Sequence, residues 1–156
     1  MARTYTVPFS VALTAAGEIV AITGAANVLA RMKRVVCKAI NSTLPAAQQF
    51  QVSGTIFTTI TGGTGGVNTT PAKVDVGDAG ASFTALAGNT VANTGTHANV
   101  PYEDGGYLYL GIDTPLPGRG IPIIGTTQVF VLALVSTPAG SVSVTFAGYV
   151  EVEEEG

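Results

Sequence analysis

Charged side chains are scarce in this sequence. Asp, Glu, Lys and Arg make up 11% of its 156 residues, less than half of the roughly 25% that is usual in soluble domains. Hydrophobic residues make up 46%, so an isolated copy would expose a weakly charged, adhesive surface. Burial of that surface against further copies of the chain, or against a large partner, is the simpler arrangement. We therefore expect a homo-oligomer.

Other residue types that would define a function class are also missing or rare. Cys37 is the single cysteine, which excludes an internal disulfide framework. The net charge of −3 and the pI of about 4.9 argue against a nucleic-acid partner, because no positive surplus is available to neutralise phosphates. No stretch approaches the ~20 unbroken apolar residues of a membrane helix. Residues 1–7 lack the apolar core of a signal peptide, so we expect no membrane partner and assembly in a cytoplasm.

The sequence contains no set of residues with the spacing that is typical of a catalytic site. His97 is the only histidine, and no neighbouring acid is placed to orient it as a base. Cys37 is typical of a small apolar strand residue, although the adjacent Lys38 would lower its thiol pKa if both were exposed. The glycine-rich residues 62–66 lack the Lys-Ser/Thr of a phosphate-binding loop and predict a flexible linker. Residues 75–78 do not match a calcium loop. We expect no enzyme, no cofactor and no metal site.

Alternation of apolar with small or polar residues is the dominant pattern. Residues 128–135 and 141–152 alternate with the period of a half-buried strand. Between them, residues 137–140 (Thr-Pro-Ala-Gly) are typical of a turn. This arrangement predicts a long antiparallel hairpin near the middle of a sheet.

The whole pattern predicts a single all-β domain over residues 1–156. We count about eight short strands, which favours a two-sheet antiparallel sandwich of the jelly-roll type. At most one short helix is expected, in residues 78–86. Residues 1–6 are expected to form an N-terminal arm, and residues 153–156 an acidic tail that is either solvated or paired with basic residues of a neighbouring copy. An immunoglobulin-like sandwich is the alternative, but the chain has neither its Trp nor its cysteine pair.

A basic cluster lies in the predicted third strand, at residues 29–40. Regular alternation places Arg31 and Lys33 on one face and Arg34 and Lys38 on the other. One of the two pairs must therefore lie near a strand end, across a bulge, or in an interface.

Three segments carry a resemblance to a known class of protein. Residues 1–23 (MARTYTVPFSVALTAAGEIVAIT), residues 78–90 (DAGASFTALAGNT) and residues 150–154 (VEVEE) resemble, in this order, small proteins encoded beside the capsid genes of tailed bacteriophages, the capsid decoration (cement) and head-associated proteins. The resemblance implies a jelly-roll protein that stands as a homotrimer on the outside of the virion. It also implies that the partner is the major capsid protein and that assembly takes place in the host cytoplasm.

Two residue sets follow as expectations of that role. Capsid contacts are expected from basic and N-terminal side chains: Arg3, Tyr5, Arg31, Lys33, Arg34 and Lys38. Their alternative role is ordinary solubilising surface. The oligomer interface is expected at apolar residues of an irregular, proline-rich segment: Leu116, Ile121, Ile123 and Ile124. Their alternative home is the end of the sandwich core.

Two other function classes remain open. One is a carbohydrate- or receptor-binding knob of a head fibre or tail component, for which Tyr102, Tyr107 and Tyr109 would supply the aromatic platform. The other is a hydrolase on a β-sandwich that uses His97 and nearby acids.

Overall fold

The structure is a computed structural model, and it describes residues 1–40, 49–108, 110–136 and 143–155, with only the backbone of residues 97–99. These residues form twelve strands, which we number in chain order: β1 (Ala2–Leu13), β2 (Gly17–Thr23), β3 (Leu29–Ala39), β4 (Gln49–Thr61), β5 (Val67–Asn68), β6 (Ala72–Lys73), β7 (Thr84–Ala87), β8 (Thr94–Tyr107), β9 (Ile112–Pro115), β10 (Ile121–Ile124), β11 (Gln128–Ser136) and β12 (Val144–Glu155).

The strands form two antiparallel sheets that pack face to face, so the predicted all-β sandwich is confirmed. Sheet A has the order β10-β3-β12-β1-β6, and β9 also pairs with β3. Sheet B has the order β5-β7-β2-β11-β4-β8. The strand count exceeds the expected eight because five strands have only two to four residues. Strands that short carry too little alternation to be recognised in the sequence.

Alternation explains how the core is built. One parity of β1 and of β12 is buried while the other faces outward, as expected for strands with one covered face. The inward side chains of both sheets join one large cluster that includes Phe50 and Phe146, whose ring centroids lie 5.3 Å apart. A smaller cluster of Ala21, Val129 and Val131 lies on the outer face of sheet B.

The predicted hairpin of residues 128–135 with residues 141–152 is wrong. β11 pairs with β2 and β4 in sheet B, whereas β12 pairs with β1 and β3 in sheet A. The chain therefore crosses from one sheet to the other between these strands. The predicted turn at residues 137–140 falls outside the described residues. Alternation shows that a strand has a buried face, but both sheets of a sandwich supply such a face.

The short helix expected at residues 78–86 is also absent, since this described segment contains irregular chain with bends followed by β7. Phe83 and Ala85 are buried on the two-residue period of a strand. The Phe83 ring packs edge-on against Tyr5, with centroids 5.6 Å apart. Burial of these alternate residues, together with Gly80 and Gly88 on either side, favours extended chain over helix.

The expected N-terminal arm and acidic tail are paired strands instead. β1 and β12 pair in continuous register from Ala2 opposite Glu155 to Leu13 opposite Val144. Residues 2–6 and 153–155 therefore belong to sheet A. The outward-facing glutamates of β12 lie opposite residues of β3, so this end of the strand is paired and not frayed into solvent.

Candidate functional site

The basic residues of β3 share one surface because the strand contains a bulge. Met32 lies opposite Val152 and Arg34 lies opposite Glu151, so Lys33 is an extra residue in the register. Because of this extra residue, side chains after Lys33 point to the opposite face from the one that regular alternation would give them. Arg31, Arg34 and Lys38 consequently share the outer face of sheet A while their neighbours Met32 and Cys37 are buried. Of the three explanations that the sequence left open, the bulge is confirmed.

Most of these cations already have partners within the same chain. Nε and Nη2 of Arg34 donate to the two carboxylate oxygens of Asp113, each at 2.6 Å. Nε of Arg31 donates to Glu155 at 3.0 Å, and Nζ of Lys33 donates to the carbonyl oxygen of Arg119 at 3.3 Å. The outer face of sheet A therefore carries rows of balanced charge rather than a basic stripe.

The Arg34 pair also perturbs titration on this face. The hydrogen bonds from Arg34 hold the pKa of the Asp113 carboxyl below its ordinary value. The same bonds, followed by the charge of Asp113, raise the pKa of Arg34. Both groups are therefore ionised at neutral pH and form a bidentate ion pair with each other.

Tyr5 does not lie on the surface where a capsid contact was expected. Its side chain is 0% exposed, and its hydroxyl donates to the carbonyl oxygen of Ala79 at 3.0 Å. Its position on the inward parity of β1 places it in the core. Arg3 is on the same parity but near the open end of the sandwich, and its guanidinium is 3.5 Å from Glu154.

Glu154 is a buried carboxylate at that end of sheet A. It is 1% exposed, and it accepts hydrogen bonds from the backbone N–H of Ser82 at 2.8 Å and from the Ser82 hydroxyl at 3.2 Å. Together with the Arg3 contact, these bonds fasten the loop before β7 to the last strand. Glu154 acts as a structural latch.

The four residues expected at the oligomer interface divide into two groups. Leu116, Ile121 and Ile123 are buried members of the main core, which is the alternative home that the sequence allowed. Ile124 alone is exposed, at 54% of its surface. Because β10 alternates, Ile121 and Ile123 face the core while Pro122 and Ile124 face outward.

Ile124 lines an apolar groove of about 490 Å³, which we call the edge groove. It lies where β10 of sheet A comes next to β4 and β8 of sheet B, at one lateral edge of the sandwich. Its walls are mainly aliphatic and proline side chains: Ile56, Pro101, Pro117, Ile121, Pro122 and Ile124. The prolines were visible in the sequence, but their convergence depends on the pairing of β10 with β3.

A second groove of about 510 Å³, the polar groove, lies on sheet B at the end of β4, β8 and β11. It is lined by amide, carboxylate and aromatic groups: Gln49, Gln51, Glu103, Asp104, Tyr107 and Ser136. Tyr107 is half exposed, whereas Tyr102 is buried, with its hydroxyl 3.3 Å from Asp104. Burial, followed by the charge of Asp104, raises the pKa of Tyr102. Tyr109 lies outside the described residues, so the expected tyrosine platform is represented here by Tyr107.

Glu18 anchors a polar network that the sequence did not reveal. Its Oε1 accepts from the backbone N–H of Asn93 at 2.6 Å, and its Oε2 accepts from the side-chain amides of Asn93 and Asn89, each at 2.8 Å. Asn93 Oδ1 in turn accepts from Gly63 N–H at 2.8 Å. Glu18 lies opposite Ala133, on the outer face of sheet B. We call residues 62–66 and 89–93, which this network holds to the sheet, the strap.

Gly63 and Gly66 of the strap are required by close packing. A Cβ at Gly63 would lie 2.5 Å from Asn89 Nδ2, and one at Gly66 would overlap Asn89 Oδ1. Thr64 pairs with Val91 in a β-bridge. The flexible linker predicted for residues 62–66 is therefore an ordered loop whose glycines let the backbone approach buried amides.

The described residues that the sequence singled out for chemistry are not brought together in the structure. Cys37 is buried, and burial raises the pKa of its thiol to about 12, so the activation that Lys38 would have provided is absent. No group of three or more His, Cys, Asp or Glu side chains with metal-binding geometry occurs among the described residues. The side chain of His97 is outside them. The described chain also contains no helix with the length and hydrophobicity needed to span a bilayer.

Comparison of the chain with protein-family models, curated proteins and solved structures gives no match. The described residues form an all-β sandwich whose surface includes an apolar groove and a polar groove.

Proposed function

We propose that this chain is a structural virion protein, a decoration or cement protein that binds the outside of a tailed-phage capsid as an oligomer. The observation that carries the proposal is the apolar surface at both lateral edges of a sandwich with very few charges. One edge presents the edge groove with Ile124, and the other presents the exposed Val67, Val74 and Val76. Exposed apolar side chains on a surface with few charges favour association. The three sequence segments that resemble cement proteins supply the kind of partner.

In this role the protein would act by avidity. Copies joined side by side each contact a different capsid subunit, so that modest individual contacts combine into slow release. A standard interface needs only about 800 Å² from each copy. The shell is stabilised because the oligomer binds the assembled lattice and not the free subunits.

The structure changes which capsid contacts we propose. Tyr5 is withdrawn because it is buried, and Arg31 and Arg34 are engaged with acidic partners of their own chain. Lys38 is exposed on the outer face of sheet A, along β3 from the edge groove. This cation is the best candidate for orienting the protein against an acidic shell.

Co-sedimentation with purified capsids tests the proposal. The wild-type chain is expected to pellet with mature empty shells at a fixed stoichiometry and to raise the temperature at which the shells dissociate. Lys38→Glu should weaken the binding and reduce its dependence on salt, whereas Lys38→Arg, which keeps the charge, serves as the matched control. A wild-type chain that stays in the supernatant and leaves shell stability unchanged overturns the proposal.

A second candidate function is favoured by the polar groove. Amide and carboxylate groups beside the half-exposed ring of Tyr107 suit a carbohydrate ligand, because sugars offer hydroxyls and an apolar face together. In this alternative the chain is a receptor-binding knob of a head fibre or tail component. A glycan array that gives hits with the wild type and none with Tyr107→Ala supports it, and an array without hits removes it.

A further inference from the structure

The two lateral edges of the sandwich carry complementary features. The edge groove, at the β10 and β8 edge, is described above. The opposite edge, formed by β6 and β5, continues into residues 74–78, which we call the valine turn. Val74 and Val76 project there, and Val76 is 91% exposed.

The valine turn is ordered although its side chains are exposed. Val74 N–H donates to the carbonyl oxygen of Thr4 at 3.0 Å, which extends the pairing of β6 with β1. Asp75 then closes the turn, since its carbonyl accepts from Asp78 N–H at 3.1 Å and its Oδ1 accepts from Gly77 N–H at 2.9 Å. An exposed apolar segment held in one conformation loses little entropy when it docks.

The charges around the two features are opposite in sign. Asp75 and Asp78 flank Val76, and Lys73 precedes them, so the turn region has a net charge of −1. The edge groove is bordered by the exposed Arg119, between Pro117 and Gly120 of its lining, and by Lys33, whose Nζ donates to the carbonyl oxygen of Arg119. Seating Val76 in the groove would therefore bring carboxylates toward cations, which favours the correct orientation of the partner.

One copy cannot make this contact with itself. In sheet A, four strand spacings separate β10 from β6, and at about 4.8 Å each they place the two edges about 19 Å apart. The groove and the turn also lie on opposite sides of the molecule. A contact between two different patches of identical chains is heterologous, and it closes into a ring when the rotation allows.

We infer that the valine turn of one copy docks into the edge groove of the next copy, head to tail. The inference rests on the oligomer of the proposed function and names the surfaces that build it. It replaces the buried Leu116 and Ile123 with Val74, Val76 and the other residues that line the groove, and it retains Ile121 and Ile124. The exposed edge of β8 lies beside the groove and would be covered by the same neighbour, which protects a 14-residue edge strand from unspecific pairing.

Complementary variants test the contact. Val76→Asp damages only the turn and Ile124→Asp only the groove; both side chains are exposed, so the fold should tolerate the changes. Each variant alone should be monomeric by light scattering, with association weakened at least tenfold. An equimolar mixture should form a species of two copies, because one intact turn and one intact groove remain. Leu110→Asp is the matched control: Leu110 is 82% exposed, and the adjacent Gly111 packs on Lys38, far along β3 from the groove. It should leave the wild-type mass unchanged.

The outcomes separate the contact from the oligomer. A wild-type oligomer that Val76→Asp and Ile124→Asp leave intact overturns the head-to-tail contact and leaves the proposed function standing. Monomeric variants that do not combine on mixing also overturn it. A wild-type chain that is monomeric at every concentration overturns both the contact and the oligomer on which it rests. Restoration of assembly to Arg119→Asp by adding Asp78→Arg, which keeps the Asp75 side chain that closes the turn, would establish which charges meet.

Discussion

The carboxylate of Glu18 is bound twice by a single residue, Asn93. The backbone N–H of Asn93 donates to Oε1 at 2.6 Å, and its side-chain amide donates to Oε2 at 2.8 Å. Asn89 adds a third donor, and Glu18 is 6% exposed. A buried carboxylate satisfied by three N–H groups is a structural anchor, and here it fixes the strap to sheet B.

Removal of the Glu18 carboxylate should release the strap. In Glu18→Ala three buried donors lose their acceptor, and we expect the free energy of unfolding in urea to fall by about 2–4 kcal/mol. Hydrogen exchange should speed up at the Gly63 and Asn93 amides before it does in the core of sheet B. Glu103→Ala, on the exposed face of β8, should change stability by less than about 0.5 kcal/mol. Equal effects of the two substitutions would contradict the anchoring role.

Glu154 should matter more than its neighbour in sequence. Glu154→Ala leaves Ser82 N–H without its acceptor and Arg3 without its carboxylate, so we expect a loss of about 1–3 kcal/mol in chemical denaturation. Glu154→Gln keeps an acceptor for Ser82 and should lose less. Glu153 faces outward, and Glu153→Ala is the matched control with a loss below about 0.5 kcal/mol. A loss with Glu153→Ala as large as that with Glu154→Ala would show that net charge rather than the latch is responsible.

The Arg34–Asp113 pair should give a measurable dependence on pH. The folded-state pKa of Asp113 lies below its unfolded value of about 3.9, so the pair stabilises the protein above that pH. The contribution is lost as the pH falls through the folded-state pKa. NMR titration of Asp113 should show its pKa rising in Arg34→Gln. An Asp113 that titrates identically in both proteins would contradict the pairing. Because both side chains are solvent-accessible, added salt should reduce the effect.

Gly148 lies where sheet A allows no side chain. A Cβ at this position would overlap the carbonyl oxygen of Val36 on β3, which is backbone and cannot rotate away. We expect Gly148→Ala to destabilise the fold by about 3 kcal/mol or more, measured as a loss of thermal stability. Gly62→Ala is the matched control, since no atom lies within 4 Å of a Cβ there. A fully stable Gly148→Ala would contradict the close pairing of β12 with β3.

The sequence predicts the faces of the strands much better than their partners. Parity alone identifies the buried side of β1 and of β12, because burial of every second residue requires no knowledge of the neighbour. The assignment of β11 and β12 to one hairpin was wrong because a strand that crosses to the facing sheet shows the same alternation. Short strands such as β6 and β9 exist only through their pairing with long strands, and nothing in their own residues predicts them.

The candidate surfaces were only partly visible for the same reason. Regular alternation placed the cations Arg31, Lys33 and Arg34 on two opposite faces of the strand, which correctly indicated an irregularity there. That irregularity is the bulge at Lys33. The acidic partners of these cations are up to 124 residues away in sequence, so their neutralisation could not be predicted. The edge groove likewise depends on β10 coming next to β8, a contact between the two sheets that no local pattern encodes.

The place of β12 in sheet A has a consequence for biosynthesis. β12 lies between β3 and β1, so a strand that the ribosome makes long after both of its neighbours is inserted into the middle of the sheet. Until Val144–Glu155 has emerged, β1 and β3 have no common neighbour, and both present open backbone to other nascent chains. Completion of the sheet is thus a late, long-range event, which makes folding slow. A chain that stalls before β12 would expose two adhesive strands at once, which makes translation through Glu155 a condition for solubility.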